Sequence, residues 1–491
     1  MEPIVIPPVN LALLAPLLTI VGWATALLLV DVFAVPEGKK RITGYLALAG
    51  LVVAALVALP LWNLPAGETF SGMLRHDRYS LTLTWIFLLI GAISVAMALD
   101  YLPRHGIEQG EFYPLLLFAV AGMILLAQGG DLIVLFLGIE TLSITLYILT
   151  GFAYPRLTSE EAAMKYLVLG AFAAGFFVYG IALTFGATGT TNLIGIGEYV
   201  ALVRPANGDQ TLLLLGSGMV LVAFAFKVAL VPFHMWTPDV YEGSPTPVAA
   251  FMSVGTKGAA LAALLRILVD ALPGLQGAWL PALSALAALT MVVGNLGALA
   301  QGNVKRMLAY SSIGHAGYIL LGVIVAGTGG YGVESFLFYL LAYALTNLGA
   351  FAVVIALEQR GEQAWSLDDF NGLFQRRPAL AGAMGLFMLS LAGVPPTAGF
   401  MGKLYVFTAA YEGGLGWLAL VGVLTSAVAA FFYLRIIARM FMQAPSRDVQ
   451  PTMFRGLQID IAISAIAILL IGLLPSPLIS LVERALFAAG S

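Results

Sequence analysis

Glu140, Lys165, Lys227, Lys257 and Lys403 all interrupt long apolar runs, in a chain of 491 residues that is 60% hydrophobic and only 10% charged. A charge at the bilayer centre costs at least ~2.5–3.5 kcal/mol on insertion scales, so ionisable groups inside membrane segments usually line a polar path. Burial disfavours an ammonium and a nearby carboxylate favours it, so a lysine with an acid in reach can exchange a proton as the pair is made and broken. Several such residues in one chain are the signature of a proton or ion relay.

The individual residues carry different weights. Glu140 lies near the middle of DLIVLFLGIETLSITLYILTGF, residues 131–152. It is either a protonated carboxyl bonded to a neighbouring helix or a carboxylate that tunes a lysine, and the rarity of buried acids in membranes favours the second. Lys227 sits shortly before Pro232 and could snorkel to an interface if the helix ends there. Lys257, far from either end of its span, is poorly placed to do so, and a relay role is favoured for both lysines. For Lys165 two readings stand: relay residue, or ion-pair partner of Glu161 on a helix opened by a Thr158–Glu161 capping box and within snorkelling reach. Lys403 could also snorkel, but it has no acid in local helical reach, which favours a relay role. His315, in YSSIGHAGYILLG, is either a satisfied polar residue or a proton carrier with a suitable intrinsic pKa. Tyr310, Ser311, Ser312, Thr346 and Asn347 read as hydrogen-bonding glue between helices.

The elements that hold these residues are apolar spans, fourteen of them, at approximately 9–31, 42–62, 80–101, 112–129, 131–153, 159–186, 211–235, 246–271, 278–300, 307–326, 331–357, 378–410, 414–441 and 457–483. Most can cross ~30 Å of hydrocarbon as helix. The fold class is therefore an all-α polytopic membrane protein. Lys/Arg asymmetry sets its orientation. Lys39, Lys40, Arg41, Arg104, Arg156, Lys305, Arg306, Arg360, Arg376, Arg377, Arg447 and Arg455 fall in odd-numbered connections, against Arg75, Arg78, Arg204 and Arg484 elsewhere, 12 to 4. Both termini are expected on the non-cytoplasmic side, and the first span is expected to be retained.

Proline interrupts spans seven and twelve, at Pro232 after Lys227 and at Pro395 and Pro396 before Lys403. Each span is expected to be broken, with carbonyls freed in mid-membrane. Lysine before the break in one span and after it in the other is what two inverted copies would produce, and matched broken helices point to a transport site. The expected organisation is an N-terminal three-helix segment at 1–110, a first repeat (spans four to eight) at 111–275, a second, inverted repeat (spans nine to thirteen) at 276–445, and a last helix at 446–491.

Composition excludes several chemistries. With no cysteine, a disulfide, a thiolate-held iron–sulfur cluster and a cysteine nucleophile are all ruled out. Two of the four histidines, His76 and His105, fall in polar connections, and no glycine-rich turn follows a strand. No cofactor or metal is expected in this chain. The net charge of −3 argues against a nucleic-acid partner; the lipid bilayer is the expected surroundings.

The strings VPFHMWTPDVYEGSPTPVAAFMSVGTKGAA, KRMLAYSSIGHAGY and GVPPTAGFMGK resemble the N-type, antiporter-like membrane subunits of bacterial NADH-quinone oxidoreductase, respiratory complex I. The resemblance spans essentially the whole chain. It implies fourteen helices with two inverted five-helix repeats and broken seventh and twelfth helices. It also implies that Glu140 pairs with Lys227, and that Lys165, Lys257 and Lys403 are the relay lysines of helices six, eight and twelve. M-type subunits and antiporter homologues usually carry glutamate at the Lys403 position. The resemblance further implies a translocase in which FMN, iron–sulfur clusters and quinone belong to partner subunits, with M-type and K-type neighbours, in a bacterial inner (plasma) membrane. The alternative is a subunit of a multisubunit cation/proton antiporter without redox partners.

Overall fold

Backbone groups inside hydrocarbon have no water to bond, so apolar runs of this length must satisfy them within helices. The computed structural model describes residues 9–203, 210–358, 365–445 and 455–485, which leaves Arg204, Arg360 and Arg447 of the charge tally outside the described residues. Among the described residues, twelve helices are long and apolar enough to cross a membrane. Two further crossings complete fourteen: the shorter Phe112–Gln128, and a twelfth span split into Pro378–Ala392 and Ala398–Glu412. Spans four and five form a tight hairpin, with Asp131 accepting from the Ile133 N–H to cap the fifth helix.

Enclosure divides the spans. Thr246–Ala271, the eighth, is 100% buried along its apolar window, and Val304–Ala326 and Gly332–Leu357 are each 94% buried. Spans one, two, six, thirteen and fourteen are only 28–39% buried and present their apolar sides outward. The helices that carry Lys257 and His315 are thus enclosed by protein, where a polar group can find partners. The eighth span is also irregular. Two π-helical turns, Met252–Thr256 and Ile267–Ala271, flank the α-helical stretch that begins at Lys257. Such turns are rare and concentrate at functional sites.

Both expected breaks are present, but their carbonyls are not left free. The first half of span seven, Thr211–Val228, ends on Ala229 in the left-handed conformation, and Trp236–Gly243 forms the second half. Leu230 N–H bonds the Ala225 carbonyl at 2.8 Å, while Ala229 N–H and Trp236 Nε1 both bond that of Phe226, at 3.0 and 3.1 Å. In span twelve the carbonyls of Leu391 and Ala392 accept from Lys403 Nζ, at 2.8 and 3.0 Å. There the ammonium sits at the negative end of a half-helix.

Other local expectations need correction. The sixth helix opens at Leu157 after Arg156, with no capping box, and Thr158 instead accepts a bond from Arg156 Nε at 2.8 Å. The 188–210 connection holds a helix, Leu193–Val203. The 63–79 connection holds an antiparallel hairpin of Gly67–Thr69 with Leu74–His76, in register Gly67 to His76. His76 is a buried strand residue bonded to the Leu61 carbonyl, and His105 ends the third helix rather than lying in a loop.

Candidate functional site

Glu140 and Lys227 line one small cavity between spans five, six and seven, together with Ser143, Tyr147 and Gly170. They are not in ion-pair contact. The buried Lys227 ammonium donates to Ser143 Oγ at 2.8 Å and Tyr166 Oη at 3.0 Å. Ser143 stands three residues after Glu140 on the same helical face, so the lysine is held one turn away from the acid by neutral acceptors. The sequence alone could not supply Tyr166, whose ring also stacks on Trp236 at 4.6 Å.

From Lys257 onward the polar groups follow one another closely, in separate bonded sets. Lys257 Nζ donates to Ser312 Oγ at 2.7 Å. Adjacent Ser311 bonds Tyr433 Oη, and Tyr433 Oη lies 3.2 Å from His315 Nε2. The other imidazole nitrogen, Nδ1, lies 3.0 Å from Tyr339 Oη. Tyr318 meets the His315 ring edge-on at 5.6 Å and carries Lys403 Nζ 5.2 Å above its own ring. Lys403 completes its bonding with Ser426 Oγ at 2.6 Å. His315 is therefore the hub between two buried lysines, placed there by the tenth span. Its tyrosine partners come from spans eleven and thirteen, so no local pattern reveals them. Thr346 and Asn347 do act between helices, bonding Ser390 and Ser253.

Between Lys227 and Lys257 the connection is aromatic. Tyr166 stacks on Trp236, Trp236 meets Tyr241 edge-on at 6.2 Å, and Lys257 Nζ lies 5.8 Å from the Tyr241 ring centre. Indole and phenyl faces carry no exchangeable proton, so proton passage across this stretch requires water.

Lys165 stands apart from this line. Its side chain is 41% exposed and pairs with Glu161 at 2.7 Å and Asp239 at 2.9 Å, so it is not one of the buried charges. It lines an open polar cleft of about 180 Å³ with Arg156, Glu242 and Trp365. Arg306 bridges Asp239 and Glu242 at 2.7 and 2.8 Å, tying the second half of span seven to the start of span ten.

Several buried charges escaped the sequence reading, among them Arg266, Lys305 and Glu358. Arg266, 1% exposed in the eighth span, forms a two-bond pair with Asp77 at 3.0 and 3.2 Å and donates to the Ala127 carbonyl. Lys305 is fully buried, donating to the Ser244 carbonyl at 2.6 Å beneath the Trp365 ring. Glu358, also buried, accepts from Thr246 Oγ1 and Trp365 Nε1. Lys305 and Glu358 lie at helix ends, where a charge ordinarily reads as solvated, and only the folded neighbours enclose them. Among the described residues, no three His, Asp or Glu side chains converge as a metal site requires.

Fourteen crossings, two of them discontinuous, around enclosed lysines define the antiporter-like class of polytopic membrane proteins. The transmembrane family described as NADH:quinone oxidoreductase/Mrp antiporter matches residues 129–429, and the chain belongs to it. It is 71% identical over 490 residues to NADH-quinone oxidoreductase subunit N of Chloroflexus aggregans, covering 100% of both chains. It is 58% identical over 489 residues to subunit N 2 of Roseiflexus castenholzii, covering 99% of this chain and 98% of that one. Among solved structures, a chain of respiratory complex I from Thermus thermophilus matches at TM-score 0.80 and 36% identity, over 95% of this chain and 98% of that one.

Proposed function

We propose that this chain is the N subunit of a bacterial NADH-quinone oxidoreductase and moves protons across the membrane while partner subunits oxidise NADH and reduce quinone. The observation that carries the reading is the succession of buried polar groups between Lys257 and Lys403, inside the most enclosed spans: Lys257 bonds Ser312, the neighbouring Ser311 bonds Tyr433, Tyr433 reaches His315, and Lys403 lies over the Tyr318 ring beside that histidine. Likeness to subunit N over the full length supplies the redox context. FMN, the iron–sulfur clusters and quinone then belong to partner subunits, with M-type and K-type subunits as membrane-arm neighbours. The setting is the bacterial inner membrane, with both termini on the non-cytoplasmic side.

In this reading residues 111–275 and 276–445 act as two inverted units, each with one broken span. Glu140 and Lys227 form the switch. A buried ammonium is costlier to hold without a carboxylate, so separation of the pair favours release of the Lys227 proton. The bonds of Lys227 to Ser143 and Tyr166 support this reading, because they offer the lysine neutral partners apart from the acid. Protons pass by way of water to Lys257, through His315 and on to Lys403. Lys165, at the open cleft, serves proton entry beside Asp239 rather than the buried line. The test is proton pumping in membrane vesicles energised with NADH, using Glu140→Gln and Lys257→Ala. Both variants are expected to assemble and oxidise NADH while pumping falls, and normal proton-to-electron ratios in both would overturn the mechanism.

A further inference from the structure

Away from the relay, a groove of about 690 Å³ runs between the first half of span twelve and span fourteen. Its lining is mostly apolar, with Leu380 and Ile461 the most buried, and small residues from both helices, Gly382 and Ala383 on one and Ala462 and Ala465 on the other, leave it open. Its helical wall from Pro378 to Leu386 rises roughly 12 Å at 1.5 Å per residue, which lies within one leaflet of a ~30 Å hydrocarbon layer. At its mouth stand Arg376 and Arg377, immediately before the helix that opens at Pro378. Arg377 is exposed, and among the described residues neither arginine is ion-paired. Two guanidinium groups and the positive end of a fifteen-residue helix thus converge at the membrane boundary above an apolar furrow.

We propose that this groove binds one phospholipid of net negative headgroup charge, its phosphate held by Arg376 and Arg377 and one acyl chain lying between spans twelve and fourteen. A zwitterionic lipid would bring its own cation beside the arginines, and a soluble anion would leave the furrow without an occupant. The pairing of a basic mouth with an apolar slot inside one leaflet fits the lipid.

The test is photo-crosslinking in the intact complex within its native membrane, with phosphatidylglycerol carrying a photoreactive group on one acyl chain and phosphatidylcholine labelled in the same way. Phosphatidylglycerol is expected to label peptides covering 378–386 and 458–466 about thirtyfold more than phosphatidylcholine does, the ratio that two membrane-surface cations at on the order of 1 kcal/mol each produce. The double variant Arg376→Gln/Arg377→Gln is expected to erase that preference. Ala462→Leu, which fills the furrow and leaves both arginines in place, is expected to reduce labelling from either lipid. Equal labelling by the two lipids would overturn the proposal. So would absence of label because a neighbouring subunit covers the groove, or a preference that survives the double variant. Competition by inorganic phosphate together with indifference to Ala462→Leu would reduce the site to an anion site and equally overturn it.

Discussion

Lys403 serves chemistry and architecture with one ammonium group. It closes the end of the half-helix Pro378–Ala392 through two carbonyls and lies over the Tyr318 ring beside the histidine hub. Hydrogen bonds to a charged group contribute about 1.5–3 kcal/mol each, so Lys403→Ala is expected to lower the thermal stability of the complex as well as its pumping. Lys403→Arg separates the two roles, because a guanidinium keeps the charge and the cap but does not release its proton. The arginine variant is expected to assemble near wild-type levels and oxidise NADH yet fail to acidify vesicles, as followed by quenching of a pH-sensitive dye. Pumping at the wild-type rate would remove Lys403 from the relay. Lys165 differs in kind. Exposed ion pairs contribute no more than about 1 kcal/mol, so Lys165→Ala is expected to leave stability unchanged and to reduce pumping less than Lys257→Ala does in the same assay.

At the scale of elements, the eighth span depends on charge at its far end. Arg266 and Asp77 tie that end to the start of span three, and Arg75 of the hairpin pairs with Asp270 at 2.7 Å on the final π-helical turn. Removing one partner of a buried pair typically costs about 3–5 kcal/mol, because the other charge is stranded, whereas removing both is far milder. Arg266→Met is therefore expected to cut the amount of assembled complex on native gels, with Arg266→Met/Asp77→Ala recovering much of it. A double variant as depleted as the single one would count against the pair as the cause. This pair also marks a limit of the sequence. Lys227, Lys257 and Lys403 were legible because each is a lone charge in an apolar run. Arg266, near the end of its span, reads as an ordinary boundary residue, and its partner Asp77 is 189 positions away. The broken spans were legible from Pro232 and Pro395–Pro396, but what closes their carbonyls was not. Trp236 and Lys403 reach back to the breaks only once the second halves have folded into place.

Across the whole molecule, the fourteen crossings were readable because backbone satisfaction in lipid leaves an apolar run little choice but helix. The ranking of spans by enclosure was not, since helices one and eight are both apolar while one is mostly outward-facing and the other wholly covered. Sidedness can be read directly because the chain has no cysteine. Glu37 and Ala66 are exposed on either side of the second span. Single variants Glu37→Cys and Ala66→Cys are expected to react with a membrane-impermeant maleimide from opposite faces, Ala66→Cys from the non-cytoplasmic one. Labelling of both from one face would overturn the orientation.

The two tyrosines on His315 impose a direction at each instant. A neutral imidazole has one N–H and one lone pair, so with both nitrogens engaged one phenol receives a hydrogen and the other gives one. A proton arriving at one nitrogen and leaving from the other swaps the tautomer and reverses that polarity. The next proton cannot follow until the ring or the hydroxyl groups of Tyr339 and Tyr433 have turned back. The wire thus carries a memory of its last transfer, and the turning-back step separates one proton from the next.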